Sequence, residues 1–278
     1  MTLVVINWIG LLLATGLGVL VGIRLRDHLQ ATEGIDDDDG HAGVLTDALA
    51  YVSGVLGIML GLMLFFSVQV YEEARQSARE EAVTMAEVFE NASFFPDPQA
   101  SALRRDMICL MRSVVSDSWS AVERGDVTGN RNTAAWVARV RDEVQSLPAD
   151  TEAEKAAQAL TLETFQESQS NRQHRLLSST TGLPLIVWLV IDLGVFVFAA
   201  LMVVSLPHRP RTAQILIGAC LLFTMGVIAA LSMFATPFTH IGVSVRPVDV
   251  NAALSRLQDV YPDADWQPCP RLVSADEG

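Results

Sequence analysis

Four long apolar runs are the feature of this sequence that most restricts its fold. A helix crosses the hydrocarbon core of a bilayer with about 20 largely apolar residues, because each residue advances about 1.5 Å along the axis. Within that core, each backbone polar group must be hydrogen-bonded inside the protein. Charged residues or prolines flank all four runs. We therefore predict four transmembrane helices, over residues 3–23, 48–70, 183–206 and 213–234.

The composition agrees with a protein of the lipid bilayer. Of its 278 residues, 50% are hydrophobic and 18% are charged, whereas a soluble domain has about 25% charged residues. The net charge of −13 argues against a nucleic-acid partner, because phosphates require a basic surface. Lys155 is the only lysine among many arginines, a usage typical of GC-rich bacterial genomes. We predict a multi-pass protein of a bacterial inner membrane.

The apolar runs divide the chain into four parts. Residues 1–70 form a first transmembrane hairpin with an acidic loop between its spans, and residues 179–236 form a second hairpin. Between them, residues 71–178 form a soluble helical domain, and residues 237–278 form a C-terminal tail. The first run is interpreted as a retained helix, since it lacks the basic start and small-residue cleavage site of a signal peptide. The predicted fold class is an all-α membrane protein with two transmembrane hairpins flanking a helical bundle.

The middle region has the pattern of consecutive helices. The second span meets no helix breaker before the prolines at 96 and 98, so we expect one helix to continue to about residue 92. Thr151 and Glu154 have the spacing of a capping box and start the last helix of the region. Further helices are predicted over residues 99–123 and 133–146.

Charged residues crowd the helix that leaves the second span. Acidic and basic side chains lie on neighbouring turns there, as they do on ion-paired helix surfaces. They predict such a solvent-facing surface or, equally, the lining of an aqueous vestibule. The residues are Glu72, Glu73, Arg75, Arg79, Glu80 and Glu81.

The distribution of arginine bears on orientation. With four spans, the loops at 24–47 and 207–212 share one side of the membrane, and they contain two arginine pairs. Arginine-rich short loops favour the cytoplasm, whereas acidic residues contribute little to the rule. Arginines also flank the membrane on the other side, but the balance favours an outward-facing helical domain. The loop pairs are Arg24 with Arg26 and Arg209 with Arg211.

Small residues recur every four positions in two spans. Lipid supplies no hydrophobic drive between helices, so helices associate where small residues let their backbones approach. The favoured interpretation is packing between spans one and two within one chain, and the alternative is an oligomer interface. The residues are Gly10, Ala14, Gly18 and Gly22 in span one, and Ser53, Gly57 and Gly61 in span two.

Asp192 is the one acidic residue deep within a span. A carboxylate at that depth is costly and usually faces a partner or a wet cavity. It is therefore a candidate functional residue. The alternatives are a hydrogen bond with a neighbouring helix through Gln214, Thr224 or Ser232, and a carboxyl group that is simply protonated.

The search for catalytic chemistry finds no constellation. The sequence lacks a phosphate-binding glycine loop, a nucleophile elbow and a zinc-binding helix motif. The four aspartates at 36–39 lack the spacing of a calcium loop and are interpreted as a solvated charge run. We predict no metal, no cofactor and no enzymatic activity.

The three cysteines are widely separated. Cys220 lies in an apolar run and is expected to act as a small hydrophobic residue. A bond between Cys109 and Cys269 requires an oxidising compartment and two Cβ atoms within bridging distance. The sequence alone favours unpaired thiols.

Four stretches of the sequence resemble the bestrophin-like domain family of bacterial membrane proteins. They follow in the expected order and together span nearly the whole chain. The tetra-aspartate loop and Asp192 are departures from the family pattern. The stretches are Tyr71-x-x-x-Arg75-x-x-x-Arg79-x-Glu81-Ala82, residues 104–119, Arg172-x-x-Arg175-Leu176 with Leu183-Pro184-x-x-x-Trp188, and Pro237-Phe238-x-x-Ile241.

The resemblance implies a function and a set of pore residues. Bestrophins are pentameric anion channels whose second span lines the pore and whose helical middle lies in the cytosol. By that analogy, Ile58, Leu62 and Phe66 line a constriction here, or else Met59, Met63 and Phe65 do. A hydrophobic constriction can gate by dewetting, although the same side chains also suit ordinary helix packing.

Two functional hypotheses follow. The first is a self-associating, bestrophin-like ion channel or pore, selective for anions if it follows the family. The second is a non-conducting scaffold or accessory subunit of a larger membrane complex, which docks a partner through its helical domain.

Overall fold

The computed structural model of the chain describes residues 2–33, 39–126, 130–178, 183–205, 211–238 and 244–273. Its helices are α1 (Thr2–Glu33), α2 (Asp39–Asn91), α3 (Gln99–Ser113), α4 (Trp119–Glu123), α5 (Arg131–Gln145), α6 (Glu152–Ser178), α7 (Leu185–Val204), α8 (Arg211–Phe234) and α9 (Val248–Val260). No β-strand occurs in those ranges, so the described part of the protein is all-helical, as predicted.

The chain folds into two compact units. Unit 1 comprises Met1–Gln69 with Gly182–Ala235, and unit 2 comprises Val70–Thr181 with Thr236–Gly278. The segment after α8 is therefore part of the same unit as the helical middle. Helix α2 contributes its first part to unit 1 and its second part to unit 2.

Unit 1 contains the membrane-spanning helices. Four helices are long and apolar enough to cross a bilayer, namely α1, α2, α7 and α8. Leu11, Leu56, Ile191 and Leu231 are among its buried residues, whereas many large apolar side chains on the outer faces are exposed. Such exposure is expected where the surrounding solvent is hydrocarbon.

Helix α1 packs along α7. A Cβ added to Gly18 would lie 2.5 Å from the Phe196 carbonyl oxygen, and one added to Gly22 would lie 2.7 Å from that of Ala200. The two backbones can approach this closely only because glycine has no side chain. The expected close packing between spans one and two is not observed among the described residues, and α7 takes the place of α2. In α1 the small-residue stripe identified the helix face that packs but not the helix that it meets.

Unit 2 is a bundle around a large buried core. Helix α3 continues through a π-helical turn, Val114–Ser118, into α4, and Gly125 ends this run with a φ of 85°. The capping box at the start of α6 is confirmed: Glu154 N donates to Thr151 Oγ1 at 3.2 Å, and Thr151 N donates to Glu154 Oε2 at 2.8 Å. The core side chains include Phe89, Leu103, Met107, Met111, Val140, Phe165 and Leu257.

The C-terminal segment is fastened to α3. Cys109 and Cys269 form a disulfide with their Cα atoms 5.5 Å apart, so the expectation of two unpaired thiols is wrong. Arg105 and Arg112 also donate to the Gln267 carbonyl oxygen, at 2.7 and 2.6 Å. The cysteines are 160 residues apart, and only the docking of this segment brings them together. Cys220 is a free thiol.

Candidate functional site

One face of α2 in unit 1 is apolar but does not pack in the core of that unit. Ile58, Leu62 and Phe66 expose 68%, 52% and 50% of their surface. Their spacing of four residues places them in one row about 12 Å long. Leu56 and Leu60, on the opposite side of the helix, are buried. The three predicted pore residues therefore remain accessible to a second molecule, to lipid or to a lumen.

The alternative set of pore residues does not share one open face. Met59 and Met63 pack against the core of unit 1, whereas Phe65 is exposed. The row formed by Ile58, Leu62 and Phe66 is therefore the better candidate of the two.

A second open row lies beside the first. A Cβ added to Gly57 or Gly61 would meet no described atom within 4 Å. Ser53, one turn earlier, is exposed and donates to the Ala50 carbonyl oxygen of its own helix at 3.0 Å. The exposed surface of α2 thus carries a row of small residues next to a row of large apolar ones.

Asp192 faces α1. A Cβ added to Gly10 would lie 3.0 Å from the Asp192 Oδ2 atom, so Gly10 provides the space that this carboxyl group occupies. Of the suggested partners, Thr224 donates to the Cys220 carbonyl oxygen at 3.0 Å, and Ser232 donates to that of Ala229 at 2.8 Å. The side chain of Gln214 lies outside the described residues.

Unit 2 contains a buried ion pair. Arg175 is 0% exposed and Glu81 is 1% exposed, and Arg175 donates through Nε and through Nη2, the latter at 3.2 Å to Glu81 Oε1. The interpretation of Glu81 as part of a solvent-facing charged surface is therefore wrong. Its neighbour Glu80 is exposed, as expected, and accepts a hydrogen bond from Gln76.

Aromatic and polar groups complete this cluster. The Arg175 guanidinium lies 4.3 Å from the centre of the Trp119 ring and donates to Ser118 Oγ at 3.2 Å. Trp119 packs edge-on against Phe238 with ring centres 6.2 Å apart. Glu81, Trp119, Arg175 and Phe238 come from the four separate sequence stretches that suggested a family. Their mutual contact was not predicted, because each stretch was interpreted by itself.

No metal site is found in the described part of the chain. The residues that the structure describes contain no group of three or more His, Cys, Asp or Glu side chains placed to hold a metal ion. The first three residues of the tetra-aspartate run, and the side chain of its fourth, lie outside the described residues.

One protein-family model matches most of the chain. The model of the Bestrophin-like domain matches residues 9–241. No curated protein matches the sequence significantly. The family match includes most of α1, all of α7 and α8, and the part of unit 2 that holds the buried ion pair.

Solved structures share the fold at low sequence identity. A point mutant of a bacterial bestrophin homologue from Klebsiella pneumoniae has a TM-score of 0.66 and 15% identity, over 91% of this chain and 99% of that one. A mutant structure described as a membrane protein has a TM-score of 0.65 and 15% identity, over 91% and 98%. These similarities establish the fold, and the family match covers most of the sequence. The chain therefore belongs to the bestrophin-like domain family.

Proposed function

We propose that several copies of this protein assemble around α2 into an ion channel, with Ile58, Leu62 and Phe66 lining its narrowest part. The observation that carries the proposal is the row of large apolar side chains that the fold leaves open on α2. Membership of the family adds the expectation of an oligomer, and the bestrophins add the expectation that the ions are anions.

The two open rows of α2 have different roles in this proposal. The row of Ser53, Gly57 and Gly61 lets the helix of a neighbouring copy approach closely, as small residues do in membranes. The large row then faces the axis, where each position forms a ring of apolar side chains. Successive rings lie about 6 Å apart. A narrow apolar passage loses its water and thereby blocks ions, so its width controls conduction.

The test is a recording from purified protein in planar bilayers. The triple variant Ile58→Ala, Leu62→Ala, Phe66→Ala widens the proposed constriction, and we expect a several-fold higher unitary conductance. Leu222→Ala with Phe223→Ala is the matched control, because both side chains are large, apolar and 74% exposed on α8. The control variant should conduct like the wild type.

Two outcomes would overturn the channel proposal. One is a monomer in nanodiscs, since a single α2 encloses no axial path. The other is an oligomer in which the triple variant and the control conduct alike. A protein that is silent in bilayers and co-purifies with one stoichiometric membrane complex would support the scaffold hypothesis instead.

We also infer that unit 2 faces the oxidising side of a bacterial inner membrane. Disulfides persist in the periplasm and are rare in the cytosol, so the bond between Cys109 and Cys269 supports this side. The arginine pairs of the two short loops independently favour it. Bestrophins place their helical region in the cytosol, so this orientation would be a departure from them.

A further inference from the structure

A cavity between α5 and α6 in unit 2 is lined by basic but not by acidic side chains of the described residues. It has a volume of about 530 Å³, and its polar lining includes Arg141, Gln169, Arg172 and Gln173. A smaller adjoining cavity of about 240 Å³ shares Arg141, Gln169 and Gln173 with it. Within the described part of the chain, no acidic side chain lines either cavity. The polar lining therefore consists of two cations and neutral side chains.

Among the residues that the structure describes, Arg172 is buried without a counter-ion of its own. It is 8% exposed, and its Nε has no hydrogen-bond partner among the described residues. The carboxylate that acts on it electrostatically, Glu81, is hydrogen-bonded to Arg175. Two buried guanidinium groups thus share one carboxylate, and one positive charge is left over. A buried charge is costly unless a partner neutralises it.

The charge on Arg172 persists near neutral pH. Burial lowers the pKa of Arg172 from its ordinary value, and the nearby Arg175 lowers it further, whereas Glu81 raises it. Because guanidinium groups stay protonated in proteins, the group remains a cation and must find a partner in another way. Arg141 brings a second cation to the same cavity, where it lies exposed at the surface.

We propose that this cavity is a binding site for a small oxyanion, a carboxylate or a phosphate. Arg172 supplies the buried charge, and Arg141 supplies a second guanidinium at the surface. The planar guanidinium fork matches the paired oxygens of such anions. Gln169 and Gln173 contribute amide donors, while apolar lining such as Leu176 can contact a short hydrocarbon tail.

The test uses the full-length protein in detergent at constant ionic strength set with sodium chloride. Sodium butyrate and sodium phosphate are titrated, and butyramide serves as the neutral counterpart of butyrate. Binding is measured by equilibrium dialysis of radiolabelled butyrate and by thermal unfolding. We expect both oxyanions, but not butyramide, to bind and to raise the unfolding temperature.

Three variants locate the site. Arg172→Gln and Arg141→Gln should each weaken binding about tenfold or more, because each removes one partner of a charge pair. Arg141 is exposed, so its replacement tests the site even if Arg172→Gln misfolds. Arg124→Gln is the control, since Arg124 is also exposed but lines neither cavity. The control should bind like the wild type.

The outcomes separate a ligand site from other uses of these arginines. Equal affinity for butyramide, equal binding by all three variants, or no binding of either oxyanion would each overturn the proposal. If Arg141→Gln changed the oligomeric state while the wild type ignored both oxyanions, the cavity would instead be an interface with a second copy. None of these measurements depends on whether the protein conducts ions.

Discussion

Glu81 and Arg175 show how one buried pair can organise a helical unit. They are 94 residues apart in the chain and come from α2 and α6. Removing two charges from water is costly, so a buried pair adds little stability compared with apolar residues of similar size. Removing one partner of such a pair destabilises the protein much more, because the remaining buried charge then has no counter-ion. The pair is therefore best understood as a constraint on how α2 and α6 align.

This view predicts unequal effects of single and double substitutions. Glu81→Gln leaves Arg175 buried and uncompensated and should cost about 3–5 kcal/mol of unfolding free energy. The double variant Glu81→Leu, Arg175→Met should lose clearly less unfolding free energy than the sum of the losses of Glu81→Leu and Arg175→Met alone. Unfolding in detergent, followed by circular dichroism, measures all four variants.

The exposed neighbour provides the control for this prediction. Glu80→Gln removes the same charge one residue away and should change stability little, because surface substitutions usually do. If Glu81→Gln had the same unfolding free energy as Glu80→Gln, the ion pair of Glu81 and Arg175 would have no structural importance.

At the scale of elements, the packing of α1 on α7 depends on missing side chains. Gly18 and Gly22 contact the backbone of α7, whereas a Cβ added to Gly16 would meet no described atom within 4 Å. These three glycines of α1 thus have two kinds of environment. Gly18 and Gly22, four residues apart on one face, let α1 approach α7 closely, whereas Gly16 does not lie at that contact.

The contrast between two glycines gives a matched test of this packing. Gly18→Leu should destabilise unit 1 by about 1–3 kcal/mol or more, since the added side chain forces the helices apart. Gly16→Leu should leave the unfolding temperature unchanged or raise it slightly, because glycine is a poor helix former. Unfolding of both variants in the same detergent measures the difference. Equal unfolding temperatures for Gly18→Leu and Gly16→Leu would show that α1 does not pack on α7 as described.

At the scale of the whole molecule, the disulfide links the fold to a compartment. It ties the C-terminal segment to α3, and such bonds persist in oxidising environments but are rare in the cytosol. The orientation proposed above therefore has a chemical consequence in living cells. Unit 2 should carry no reduced thiol, and Cys220 in unit 1 should be the one free cysteine of the protein.

Labelling with a membrane-impermeant maleimide tests the orientation. In a Cys220→Ser background, Ala159→Cys on the exposed surface of α6 should react in intact spheroplasts. Gly43→Cys, on the exposed first turns of α2, should react only after lysis. The reverse pattern, or reduced Cys109 and Cys269 in protein trapped rapidly with acid, would place unit 2 in the cytosol.

Several features of this protein could be derived from local sequence. The four spans follow from length and apolarity, because a helix in hydrocarbon must satisfy its own backbone. The extent of α2 and the capping box at Thr151 follow from helix breakers and from bonds between near neighbours. The open row of Ile58, Leu62 and Phe66 was named through the family resemblance, since spacing alone cannot distinguish a pore from packing.

Other features depend on contacts between distant parts of the chain. The stripe of small residues identified the packing face of α1, but only the folded unit shows that α7 covers it. Glu81 has the local pattern of a surface residue and is buried because α6 brings Arg175 to it. Cys109 meets Cys269 because the C-terminal segment docks on α3. By itself, the sequence determined most of the helical segments, though not α9, and the four runs that are long and apolar enough to cross a membrane, because those properties depend on neighbouring residues. The tertiary structure alone decided which residues become partners, because burial and pairing depend on segments that are far apart in the chain.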